Sequence, residues 1–209
     1  MIKCDSVLFD LDGTLWDTTA ALAEVWQAVI MDEPDARRTL TRQDMTGVMG
    51  MTSTELMRTL FPGLSDERGE ELFEKLCIAE DDYLRKHGGI LYDGLEETLR
   101  ALSQKVPLAI ISNCGPDYIP AFFDAHGLEK YFSDWECIGR TGLSKGENIR
   151  LVAERGGFKA PVYVGDTSMD QAAAQAAGVP FIFAAYGFGN VKDCPRVDGP
   201  AGLLELLEL

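Results

Sequence analysis

The stretch "SVLFDLDGTLWDTT", residues 6–19, decides how the rest of the chain is read. Its first half is an apolar run rich in residues that suit a strand buried on both faces. The run closes on Asp10 and Asp12, two carboxylates one residue apart, followed by Gly13 and Thr14. A turn explains one acid at a strand end. Two acids that begin with the same orientation, because side chains alternate along a strand, ask for a positive partner. Gly13 then allows a sharp exit that turns Asp12 away from Asp10.

Three further apolar runs resemble this one: "VPLAIIS" (106–112), "PVYVGD" (161–166) and "VPFIFAA" (179–185). Between them lie helical patterns near 95–102, 118–125, 145–156 and 168–177, several ending at glycine. The alternation predicts an α/β fold, a Rossmann-like parallel sheet with right-handed crossovers. The region from about 17 to 90 breaks the rhythm and shows no strand pattern. Leu22, Val25, Trp26, Val29 and Ile30 recur at helical spacing, as do Leu56 and Leu60, and the set Leu72, Leu76 and Tyr83. An all-helical cap over 16–92 is therefore expected to interrupt an α/β core formed by 1–15 and 93–209. The final "GLLELLEL" reads as an acidic amphipathic helix.

The 209 residues carry a formal net charge of -15 and no visible basic patch, which speaks against a nucleic-acid partner. The same charge means that an anionic substrate needs a local cation. No apolar run approaches a membrane span, and "MIKCDSVLFD" runs straight into the first strand, so no signal peptide is expected. The five cysteines, Cys4, Cys77, Cys114, Cys137 and Cys194, form neither CxxC pairs nor Cys/His clusters. A disulfide framework or zinc site is not expected, and a reducing cytoplasm fits best. Nothing in the sequence fixes an oligomeric state.

In an open parallel sheet, ligands bind beyond the carboxyl ends of the strands. Those ends carry Asp10, Asp12 and Thr14 on the first run, Ser112 and Asn113 on the second, and Asp166 with Asp170 on the third. Clustered carboxylates of this kind suit a hard cation with oxygen ligands, Mg²⁺, which satisfies Asp10 and Asp166 and accepts a phosphate oxygen. Lys145, in "TGLSKGENIR", supplies a second positive charge at a helix start. Ser144 and Glu147 have the spacing of a capping box and leave Lys145 free. Asp166 and Asp170 also suit the first turn of a helix for dipole reasons. His126 precedes Gly127 and is expected to serve the helix dipole; His87 reads as a loop residue, and neither is expected to be catalytic. Met45, Met49 and Met57 read as packing residues, while "GMTST" (50–54) is a candidate substrate-facing loop with Arg42 or Arg58 as sources of charge.

Taken together, "FDLDGTL", "ISN", "LSKG" and "YVGDTSMDQAAAQAAGV" resemble the four ordered motifs of the haloacid dehalogenase superfamily. The resemblance covers essentially the whole chain, helical cap included, and is nearest to the branch of phosphoglycolate phosphatase and β-phosphoglucomutase. It implies a phosphatase acting on a small phosphorylated metabolite, with Asp10 as nucleophile and Asp12 as general acid and base. Ser112 and Lys145 would hold phosphoryl oxygens, and Thr14 and Asn113 would contact substrate. Asp10, Asp166, the Asp12 carbonyl and Asp170 in support would bind Mg²⁺. A phosphomutase is the alternative within the same chemistry, although the cap loop lacks the basic residue expected of that branch. A receiver-like phospho-accepting module is less favoured, because it has no use for Asp12 or a cap, and so is a non-catalytic binding protein, because every motif residue is present.

Overall fold

Ser6–Phe9 forms the strand that the opening motif announces, and it runs through the middle of a six-stranded sheet. In the computed structural model, which describes residues 1–209, the sheet order is Asp134–Cys137, Leu108–Ser112, Ser6–Phe9, Pro161–Gly165, Phe181–Ala184 and Arg196–Val197. Every neighbouring pair is parallel. The chain leaves the central strand toward one edge and later returns to fill the other. That reversal opens a crevice at the carboxyl ends of Ser6–Phe9 and its two neighbours.

Alternation along the central strand sets up two cores. Leu8 joins Ala109, Ile111 and Tyr163 on one face, beneath Ile149 and Val152 of the helix Lys145–Gly156 and Ala174 of Ser168–Ala177. Val7 and Phe9 point the other way, with Leu108, Ile110, Val162 and Val164. The helices Leu95–Ser103 and Tyr118–His126 cover that face through Leu99, Leu102, Ile119 and Phe122. Each valine, leucine, isoleucine and phenylalanine among them, withdrawn from water, contributes about 1.5–3 kcal/mol relative to exposure. The sheet therefore holds its crevice on a rigid, doubly covered platform.

The segment between Thr19 and His87 consists of the helices Thr19–Ile30, Arg42–Val48, Ser53–Leu60 and Asp66–His87. Thr41, Thr52 and Ser65 cap the last three, each accepting a backbone N–H from three residues on. Leu22, Trp26 and Ile30 pack with Leu72, Leu76 and Leu84, so the stripe on the long helix continues to Leu84; Tyr83 is half-buried, packs against the same core and stacks on His87. His87 is the last helical residue rather than a loop residue, since Gly88 forms the C-cap.

Several expectations are corrected. The first strand stops at Phe9, and Asp10 already lies in the exit loop, its N–H donating to the Val164 carbonyl at 2.8 Å. The span read as free of strands holds two short ones: Trp16–Asp17 pairs antiparallel with Ile90–Leu91, forming a two-stranded stem at the base of the helical segment. The edge strand Asp134–Cys137 escaped notice because its sequence, DWEC, is acidic; Arg155 neutralises it through Asp134 at 2.8 Å and Glu136 at 3.1 Å. The terminal "GLLELLEL" is helical only over Leu203–Leu206. Leu207–Glu208 extends and pairs parallel with Ile2–Lys3, which buries Leu207 and supplies ladder partners that a continued helix would forgo. His126 stands in the last turn of its helix, before the Gly127 C-cap, as expected. Its ring packs edge-on to Trp16 at 5.8 Å, and burial pushes its pKa down, favouring the neutral form. No helix is long and apolar enough to cross a membrane, and all five cysteines are free.

Candidate active site

Asp10 emerges at the end of the central strand, almost wholly buried, and meets Lys145 from the start of the helix Lys145–Gly156. The capping box of Ser144 and Glu147 fixes that helix start, with Ser144 accepting the Glu147 N–H. The ammonium of Lys145 is thereby aimed inward, donating to Asp10 Oδ1 at 2.8 Å and to Asp170 Oδ1 at 2.7 Å. Burial by itself would lower the lysine's pKa, but the charges of Asp10 and Asp170 outweigh it and raise the pKa well above its usual value. Asp10 is pushed up, first by burial and then by the charge of Asp170.

Asp170 performs two tasks. Its Oδ2 accepts from Thr167 N at 3.0 Å and Thr167 Oγ1 at 2.6 Å, completing a capping box, while its Oδ1 faces Lys145. Asp166, fully buried, accepts the Phe188 N–H on Oδ2 at 2.7 Å, and its Oδ1 has no hydrogen-bond partner. Burial and the neighbouring Asp170 raise Asp166 to about 7. Carboxylate oxygens of Asp10, Asp166 and Asp170 lie within 4.8 Å of one another. Three acids against one lysine, with an orphaned buried oxygen among them, have the donor set and charge deficit that suit a hard divalent cation.

Gly13 explains how so much charge fits. Its φ of +81° is left-handed, and a Cβ there would fall 2.2 Å from Asp166 Oδ2. The turn it makes also separates Asp12 from the acidic cluster. Asp12 Oδ1 accepts from Thr18 Oγ1 and from Tyr118 Oη, both at 2.9 Å. Burial pushes Asp12 up to about 6, against the opposing pull of those two hydroxyls. Asp10 is thus held beside the ammonium while Asp12, two residues on, sits among neutral donors with a pKa suited to proton transfer near neutrality.

A cavity opens over these groups. Asp10, Asp12, Ser112, Asn113 and Lys145 form one wall; Trp26, Met45, Met49, Met51, Phe73 and Glu80 are among the residues of the other. Gly50 and Ser53 of the methionine-rich segment also line it, and Asn113 Nδ2 donates to the Gly50 carbonyl at 3.0 Å, tying the two walls together. Met45 and Met57 are buried as packing residues. Thr14 lies outside the lining, fully buried, with its hydroxyl unpartnered and its carbonyl accepting from Tyr186 Oη at 2.9 Å. Neither cap arginine considered as a source of charge reaches the cavity. Arg42 pairs with Asp17 at 2.5 Å and Arg58 with Asp66 at 2.6 Å.

Sequence reasoning missed Thr18, Tyr118 and Glu80. For Glu80 a signal existed: Leu72, Leu76, Glu80 and Leu84 recur every four residues, which places a carboxylate inside an apolar stripe. Tyr118 gave none, because its partner Asp12 is 106 residues away and meets it only in the folded chain.

The family model described as haloacid dehalogenase-like hydrolase matches residues 7–184. A phosphoglycolate phosphatase of Photobacterium profundum is 30% identical over 196 residues, covering 87% of this chain and 83% of its own length. Another, from Pseudomonas syringae pv. tomato, is 29% identical over 209 residues, covering 95% of this chain and 75% of its own. A crystal structure described as a putative phosphoglycolate phosphatase from Lactobacillus plantarum superposes with a TM-score of 0.85 at 19% identity, over 98% of this chain and all of that one.

Proposed function

From the premise that the chain belongs to the haloacid dehalogenase-like hydrolases, we propose that it is a Mg²⁺-dependent phosphatase that cleaves a small phosphorylated metabolite through an aspartyl-phosphate on Asp10. The observation that carries the reading is the division of labour between Asp10, paired to Lys145, and Asp12, held apart by Thr18 and Tyr118.

A carboxylate oxygen of Asp10 attacks phosphorus, and the bond from phosphorus to the ester oxygen breaks. Asp12 gives its proton to the departing alkoxide and is left ionised. Water then attacks the phosphorus of the aspartyl-phosphate, Asp12 takes the water's proton, and the acyl-phosphate P–O bond breaks to restore Asp10. Lys145 and the Ser112 hydroxyl hold phosphoryl oxygens, and Lys145 keeps Asp10 in place. Asp10 and Asp166, supported by Asp170 and the Asp12 carbonyl, would hold Mg²⁺, which supplies charge neutralisation for the phosphoryl group when bound. The helical segment acts as a lid that excludes bulk water, with the stem strands at its base.

A phosphomutase would need to grip a second phosphate, and no lysine or arginine of the helical segment lines the cavity. The test is phosphate release from an aryl phosphate and a panel of phosphometabolites, with Mg²⁺ and with chelator, for wild type and Asp10→Asn. Mg²⁺-dependent release that is lost in the variant is expected. Turnover that survives the substitution would refute the nucleophile.

A further inference from the structure

Glu80 stands where a lid facing phosphorylated substrates has most reason to carry a cation. It belongs to the long helix Asp66–His87, is 6% exposed, and lines the cavity alongside Asp12. Trp26 Nε1 donates to its Oε2 at 2.6 Å, which fixes the carboxylate against the indole. No lysine or arginine pairs with it, although six basic residues of the helical segment have acidic partners elsewhere. A buried carboxylate without a cation is costly, and burial together with Asp81 pushes its pKa well above the usual range. Beside it stand the rings of Trp26 and Phe73, edge to face at 6.2 Å, and the thioethers of Met45 and Met49, soft surfaces that bring no cation, and the one indole N–H among them is already given to Glu80.

The charges across the cavity are therefore divided. Lys145 and the acidic cluster that suits a cation serve the phosphoryl end, and the opposite wall offers a carboxylate set among aromatic rings. A second anion on the leaving group would find no cation there and would hold Glu80 in its protonated form, whereas a cation favours the carboxylate. An ammonium there would supply the missing partner and lie against aromatic faces.

Resting on the phosphatase reading, we propose that Glu80 selects the leaving group by charge, and that the preferred substrates are phosphomonoesters of small amino alcohols rather than esters with a second anionic group. Phosphoglycolate, the substrate in the names of the relatives, belongs to the disfavoured class. The selection works through direct contact of the substrate ammonium with the Glu80 carboxylate, on the leaving-group side of Asp12.

The test separates binding from turnover. Dissociation constants of 2-aminoethyl phosphate, propyl phosphate and phosphoglycolate are measured by calorimetry with Mg²⁺ on the Asp10→Asn protein, which retains the esters intact. The expected order is amine, then neutral, then carboxylate, with about tenfold between the first two. In Asp10→Asn/Glu80→Gln the advantage of the amine should shrink to about threefold or less. Equal binding of the three esters, tighter binding of phosphoglycolate, or an amine preference untouched by Glu80→Gln would overturn the proposal. The order within the single variant decides the matter even if the double variant does not fold. Aryl phosphate turnover by wild type tests the phosphatase reading separately: if it is absent while the binding order holds, that reading fails and the charge selection stands.

Discussion

Tyr118→Phe removes one oxygen and leaves the ring in place, so its effect on Asp12 can be worked out. The Tyr118 hydroxyl and Thr18 Oγ1 both donate to Asp12 Oδ1 at 2.9 Å, and both favour the ionised carboxylate. A hydrogen bond to a charged group contributes about 1.5–3 kcal/mol, and one pKa unit corresponds to about 1.4 kcal/mol. With Thr18 still donating, the lower figure applies, and Asp12 should rise by about one unit from its value near 6. Sign and consequence follow directly. A raised pKa keeps Asp12 protonated to higher pH, so the alkaline limb of kcat/KM, which reports the general acid in free enzyme, moves up by about one pH unit. The base-dependent hydrolysis of the aspartyl-phosphate should slow at the same time, because a smaller fraction of Asp12 is ionised. The assay is a pH profile of kcat/KM with an alkyl phosphate, whose poor leaving group needs the acid, alongside single-turnover decay of the phospho-enzyme. A profile that superimposes on wild type, or a limb that moves down, would refute the assignment of Asp12 and of Tyr118 as its tuner.

Other perturbations probe the rest of the site. Gly13→Ala forces a left-handed residue to carry a Cβ 2.2 Å from Asp166 Oδ2, so Mg²⁺ affinity measured by titration should fall by at least about tenfold while the helical content of the fold persists. Lys145→Met strips the only cation from Asp10 and Asp170; the protein should lose about 3–5 kcal/mol of stability in denaturant melts and all measurable turnover, and added Mg²⁺ should recover part of the stability but not the activity. Because the folded-state pKa of Glu80 is raised, wild-type stability falls as pH rises above its unfolded value of 4.5, and Glu80→Gln, which can still accept from Trp26, should gain in thermal midpoint relative to wild type as pH increases. A gap between the two midpoints that is constant with pH would show that Glu80 is not carrying a buried charge.

The sequence alone determined the strands that build the centre of the sheet and the residues at their tips. Val7 to Phe9, Leu108 to Ile111 and Val162 to Val164 are apolar on both faces, and only a doubly covered parallel strand accommodates that pattern. Because such a sheet delivers its strand ends to one edge, Asp10, Ser112 and Asp166 could be grouped before their distances were known. Lys145 was legible for a similar reason, since the capping box around it accounts for its neighbours and not for it. What the sequence left undecided depends on partners distant along the chain. The pairing of Leu207 with Ile2 turns a helical pattern into a strand. Tyr118 reaches Asp12 only once its helix packs on the sheet. Arg42 and Arg58, free on paper, are claimed by Asp17 and Asp66, while Glu80, unremarked among surface acids, is carried inside by the stripe of leucines around it. Local pattern fixes which face of an element is buried; which charges then meet across the cavity is set by how the helical segment closes on the sheet, and only the tertiary structure decides that.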